Sequence, residues 1–135
     1  MIESYRDLKV WQIAMDLAVA VYRWTESFPS AEKYGLTSQM RRSSSSVAAN
    51  IAEGYGREST GSYVNFLKTA RGSLKELETH AILSTRVGFM KDETLAILLN
   101  FAADVGRLLN ARIRSLRDSS RSSTAEADKK PVENS

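Results

Sequence analysis

From Leu8 to Leu116 the apolar residues recur every three or four positions, and Pro29 is the only proline in that span. This spacing is the period of an α-helix and commits the chain to amphipathic helices. In the first segment Leu8, Trp11, Met15, Ala18 and Tyr22 alternate with Ile13, Leu17, Val21, Trp24 and Phe28, making one wide apolar face. Asp7 is the expected N-cap. Pro29, which cannot continue a helix, is expected to stop it just after Phe28. The following connection is expected to pack Tyr34 back on the helices and to turn at Gly35.

The stretch RRSSSSVAANIAEG, Arg41 to Gly54, is the one place where the pattern looks broken. Four serines suggest a linker or a phosphate-gripping loop. The core positions nevertheless run Met40, Ser44, Val47, Ile51 and Tyr55 without losing the helical period. Serine in a helix costs only about 0.5 kcal/mol relative to alanine, and its small size lets a neighbouring helix come close. The serines therefore belong to a second helix, capped by Thr37 or Ser38 and ended by left-handed Gly54 and Gly56. A third helix is capped by Ser59 or Thr60. Its seam is Tyr63, Leu67, Ala70, Leu74, Leu77, Ala81 and Ser84, with Gly72 marking a close contact and Gly88 the end. A fourth is capped by Asp92 and carries Leu95, Leu98, Ala102, Val105, Leu109 and Leu116 inward. Beyond Arg117 the sequence DSSRSSTAEADKKPVENS offers too little apolar surface to offset its chain entropy. The expected architecture is all-α: an up-down-up-down antiparallel four-helix bundle over residues 1–117, with a disordered C-terminal tail over 118–135.

Composition removes several function classes. There is no Cys, which excludes disulfides, thiolate metal sites and cysteine nucleophiles and fits a reducing compartment. No uncharged apolar run approaches the ~20 residues of a membrane span, and MIESYRDLKV lacks the apolar core of a signal peptide. The expected location is the cytoplasm, with no membrane partner. The single histidine, His80, follows Glu76 by one turn but has Leu77 three residues before it. The Glu-x-x-His pattern of a di-metal bundle is thus missing. No phosphate loop or nucleophile elbow occurs. Neither metal nor cofactor is expected, and no small-molecule substrate is identified. The chain reads as no enzyme; the weaker catalytic reading would pair Glu53 and His80 from neighbouring subunits.

What is left is charge. Taking the 3 basic and 4 acidic side chains of residues 118–135 from totals of 19 and 16 leaves 16 against 12, a mild net +4. Arg107, Arg112, Arg114 and Arg117 crowd the end of the fourth helix with no acid among them. On the second helix Gln39, Arg42, Ser46, Asn50, Glu53 and Arg57 form one polar stripe, either a solvated face or a contact surface. Glu53 sits at the negative end of that helix and calls for an arginine or an N–H donor nearby.

Several blocks together carry a resemblance: YRDLKVWQIAMDLAVAVY, FPSAEKYGLTSQMRRSSSSVAANIAEGYGR and YVNFLKTARGSLKELET. Over roughly residues 5–117 the chain resembles the four-helix-bundle family of the 23S rRNA intervening-sequence proteins. That family includes proteins encoded in insertions within bacterial 23S rRNA genes and is related to the accessory protein of diversity-generating retroelements, which binds reverse transcriptase and RNA. The resemblance implies a homopentameric ring and contact with RNA or nucleoprotein. It marks Arg41 and Arg42 as candidate anion contacts, to which the residues themselves add Arg57, Arg107, Arg112, Arg114 and Arg117. Ser46, Asn50, Glu53 and Gly54 are the candidate structural or assembly residues. Trp11, Trp24, Tyr55 and Phe89 are the apolar side chains an assembly would cover. The first function reading is an oligomer that binds structured RNA, with no stacking platform for unpaired bases in evidence. The alternative is a protein–protein adaptor, a docking ring with no nucleic-acid role.

Overall fold

The computed structural model describes residues 1–129, with side chains to Arg121. A 3₁₀ turn at Tyr5–Asp7 leads into four helices: α1, Lys9–Trp24; α2, Leu36–Tyr55; α3, Thr60–Arg86; and α4, Asp92–Lys129. No strand occurs among the described residues. Each helix touches the next in the chain, α4 touches α1, and the diagonal pairs α1–α3 and α2–α4 do not meet. Cross-helix pairs fix the directions. Met40 meets Ser84, Ser46 meets Ser73 and Gly54 meets Phe66, so α2 and α3 run antiparallel. Leu74 meets Gly106, Arg71 meets Asn110 and Tyr63 meets Arg112, so α3 and α4 do likewise. The start of α1, at Lys9 and Val10, lies beside Leu108, Arg112 and Ser115, midway along α4.

Most of the expected seam residues build the core, but Met15 and Tyr22 of the expected α1 face are exposed. Leu17, Val21, Met40, Val47, Ile51, Leu67, Leu77, Leu98, Val105 and Leu109 are fully buried. All seven expected seam residues of α3 are buried. The serines lie inside α2, and Ser43 and Ser44 are buried. Their hydroxyls donate to carbonyls of their own helix, Ser43 to Gln39 at 2.8 Å and Ser44 to Arg41 at 2.9 Å. A buried hydroxyl satisfied in this way leaves no orphaned polar atom, and the slot stays narrow. The stretch Asp92–Arg121 is long and apolar enough to cross a membrane by length and composition. Its apolar stripe, Leu98, Ala102, Val105, Leu109 and Ile113, is here the buried wall of the bundle.

Helix boundaries differ from expectation for local reasons. Asp7 does not cap α1. It closes a capping box with Ser4 on the preceding 3₁₀ turn, and Leu8 precedes α1 without a side-chain cap. α1 ends at Trp24, before Pro29, and the buried Thr25 that follows it donates its hydroxyl to the Val21 carbonyl at 2.8 Å. α2 starts at Leu36 with neither Thr37 nor Ser38 as cap; Gly35 precedes it, and the Glu32 carboxylate accepts from the Leu36 N–H at 2.9 Å. Ser59 caps α3 as expected. Asp92 falls inside the first turn of α4, whose first carbonyl acceptor is Lys91. Among the described residues only Gly88, with φ +90, is left-handed. Gly54 and Gly56 are not, and Gly54 is buried against α3. Gly72 has open space around it rather than a close contact. Helix α4 is traced to Lys129, but residues 118–121 are all exposed and add nothing to the core, in keeping with the expected tail. The rest of the expected tail, 130–135, lies outside the described residues.

The carboxylate of Asp7 accepts the Glu3 and Ser4 backbone N–H groups at 2.9 and 3.0 Å. These two bonds hold its pKa below the ordinary value of 3.8. A depressed folded pKa stabilises the turn fully above that ordinary value, and the contribution is lost as pH falls through the lower folded value. Amide exchange at Glu3 and Ser4 is therefore expected to accelerate only in strongly acidic solution, and in an Asp7→Asn variant to lose this pH dependence. Unchanged exchange down the acid range would contradict the assignment.

Candidate nucleic-acid interface

The seven arginines singled out in the sequence do not form one surface. Arg41 is tied into the corner between α1 and α2: its Nε donates to Thr25 Oγ1 at 2.9 Å and a terminal nitrogen to the Tyr22 carbonyl at 3.3 Å. Its guanidinium lies 4.7 Å from the centre of the Tyr22 ring. Arg42 is exposed and donates to Gln39 Oε1 at 3.0 Å. Arg57 pairs with Glu53 at 2.8 Å, supplying the compensation the end of α2 requires, and covers the Phe66 ring at 4.7 Å. Arg107 pairs with Asp104 on the outer face of α4. Arg112 turns toward Tyr63 and the N-terminal segment, and its buried Nε has no partner.

Arg114 and Arg117 do come together, and the bundle adds to them. They line a cleft with Arg71, Asn110, Ile113, Asp118 and Arg121. An adjoining cleft is lined by Thr60, Gly61, Val64, Asn65, Lys68, Arg117, Ser120 and Arg121. Arg117 and Arg121 belong to both. The two clefts thus form one groove where α3 begins and α4 runs past it, with Lys68 and Arg71 on one wall and Arg114, Arg117 and Arg121 on the other. Among the described residues Asp118 is the one acid in its lining. Steps of three and four residues put the α4 arginines on a single stripe about 10 Å long. Arg71 is anchored across the groove on Asn110 Oδ1 at 2.9 Å. Lys68, Arg71 and Arg121 were missed in the sequence. The stripe of three arginines appears only if α4 is carried past Arg117, and the facing pair only once α3 is laid antiparallel to it.

The residues expected to be structural act inside this chain. The Ser46 hydroxyl shares a hydrogen bond with Ser73 of α3 at 3.0 Å, and Asn50 Nδ2 donates to the Ser46 carbonyl and hydroxyl at 2.8 and 3.0 Å. A Cβ at Gly54 would lie 2.7 Å from Phe66 Cβ, so this residue sets how closely α2 and α3 approach. His80 is half-buried, its Nδ1 lacking a partner, in a cleft with Glu32, Gln39, Arg42, Glu76 and Leu83. No group of three or more His, Asp or Glu among the described residues is placed to hold a metal.

These features define a class: a four-helix bundle with a basic groove along one interhelical seam. Residues 6–111 match the 23S rRNA-intervening sequence protein family, and the chain belongs to that family. A crystal structure of a protein of unknown function from the S23 ribosomal protein family of Bacteroides thetaiotaomicron VPI-5482 shares the fold. It is 23% identical with a TM-score of 0.72, over 78% of this chain and 95% of its own. No curated protein matches the chain.

Proposed function

We propose that this protein is a non-enzymatic, self-assembling bundle that binds structured RNA through the groove between α3 and α4. The observation that carries the reading is the convergence of Lys68, Arg71, Arg114, Arg117 and Arg121 around a single acid. Such a cluster repels itself unless an anion neutralises it, and a phosphate backbone offers anions in a row. The family's name, which joins it to 23S rRNA, supports RNA as that anion. Contact with a backbone positions the ligand without reading bases, so a preference for shape over sequence is expected. Assembly is supported by apolar side chains left in water: Met15 and Val19 on α1, Leu83 and Val87 at the end of α3, and Ile97 on α4. Trp11, Trp24, Tyr55 and Phe89, the residues expected to need cover, are instead packed against the core of their own chain. The ring is the homopentamer that the family resemblance implies. It would repeat the groove around its axis and multiply a modest charge into a strong field.

The test is a titration of a ribosomal RNA hairpin against salt. Retention at low salt is expected, with log K falling by roughly 0.7–0.9 per decade of salt for each phosphate neutralised. No retention at low salt, even at micromolar protein, would end the RNA reading. Light scattering on the eluting protein is expected to give about five times the 15.0 kDa of one chain, and a monomer would remove the ring. Nuclease-resistant protein partners in place of RNA would turn the groove into an adaptor surface.

A further inference from the structure

At the opposite pole of the bundle from the groove, where α1 ends and α2 begins, two tyrosines stand out into solvent. Tyr34, in the connection, is 87% exposed and Tyr22, on the last turn of α1, 46%. The expectation that Tyr34 packs back on the helices is not met. Its neighbour Gly35 leads directly into α2, and the Leu36 N–H is held by Glu32, which leaves the ring outside. Both tyrosines line a cleft of about 390 Å³ with Lys33, Thr37, Ser38, Arg41 and Arg42, and no acid lines it. The Lys33 ammonium lies 5.5 Å from the centre of the Tyr34 ring, and the Arg41 guanidinium 4.7 Å from that of Tyr22. Arg41 is held there by its bonds to Thr25 and to the Tyr22 carbonyl.

We infer that this corner is a binding site for unpaired nucleotides of a single-stranded RNA segment, separate from the basic groove between α3 and α4. Each half of a nucleotide has a match. The base is a flat π-face that stacks on an exposed aromatic ring whatever its sequence. Tyr34 offers such a ring, exposed on the wall of an open cleft. The phosphate is an anion for Lys33 and Arg42, which both line the cleft. Arg41 is already ordered against Tyr22, so little side-chain entropy is lost there on binding. A duplex would satisfy the cations and leave the rings unused, since its bases are stacked on one another. An acidic peptide would do the same.

The test is fluorescence anisotropy with a labelled decauridylate, which has no duplex, alongside an RNA hairpin closed by a non-nucleotide linker, which has no unpaired base. The native protein is expected to bind both. Tyr34→Ala is expected to weaken decauridylate binding by about tenfold, within the range stacking gives per base, and to leave hairpin affinity within about twofold. Tyr34→Trp is expected to restore or strengthen it. So exposed a side chain is not expected to affect folding, which circular dichroism would verify. No decauridylate binding by the native protein, or equal binding by Tyr34→Ala, would overturn the site. So would displacement by oligoglutamate at comparable concentration with the same Tyr34 dependence, which would assign the corner to an acidic protein. The groove and the corner fail separately: loss of hairpin binding alone sinks the first, and Tyr34-independent decauridylate binding alone sinks the second.

Discussion

Replacing Gly54 with alanine is expected to destabilise the bundle by about 1–2 kcal/mol, although alanine is the better helix former. The added Cβ would lie 2.7 Å from Phe66 Cβ, 3.1 Å from Tyr63 Cδ1 and 3.3 Å from the Tyr63 carbonyl oxygen. Two of these atoms belong to or adjoin the α3 backbone, so rotating a side chain cannot relieve the clash and the helices must separate. Overpacking of this kind costs roughly 1–3 kcal/mol and occasionally more. The intrinsic gain from glycine to alanine, about 1 kcal/mol, offsets only part of it. Gly72 is the internal control. It lies inside α3, and a methyl group there would meet nothing within 4 Å, so Gly72→Ala is expected to stabilise by about 0.5–1 kcal/mol. Urea melts of the two variants should move in opposite directions from the native midpoint. A Gly54→Ala protein as stable as the native one would show that the α2–α3 spacing is not what the glycine sets.

Reversing two charges, Arg114→Glu with Arg117→Glu, is expected to weaken hairpin binding by roughly 10- to 100-fold at low salt. The same double variant should flatten the salt dependence by about 2 in slope, one for each phosphate no longer neutralised. Both side chains are exposed, so the fold should persist. Arg107→Glu provides the comparison. It carries the same kind of charge reversal on the same helix, but on the outer face and beside Asp104, and should alter affinity by no more than about twofold. If the double variant bound as the native protein does, or if Arg107→Glu were equally damaging, the groove would have no special claim on RNA.

What could be read from the sequence was whatever depends on period. The α3 seam from Tyr63 to Ser84 follows from spacing alone because burial selects one face of a helix. The serines of α2 were legible for the same reason, their size and position mattering more than their polarity. The glycines were not. Gly54 and Gly72 are both helical residues with polar neighbours in sequence, and only the facing helix tells a tight crossing from open solvent. Helix starts were misread where a cap came from farther away: Glu32 serves α2 across the turn, while Asp7 serves a different turn altogether. The basic groove was half legible. Arg114 and Arg117 stood out as a run, while Lys68 and Arg71 sit 43 or more residues earlier and join them only through the antiparallel return of the chain.

An even number of alternating rods brings the first and last helices back to the same pole. The opening of α1 beside Leu108 and Ser115 is the visible sign of it. A fusion or affinity handle joined ahead of Met1 would therefore project from the arginine pole, leaving the tyrosine corner open to solution. Immobilised by such a handle, the protein would under-report duplex ligands relative to single strands, and the two are best compared with the handle cleaved.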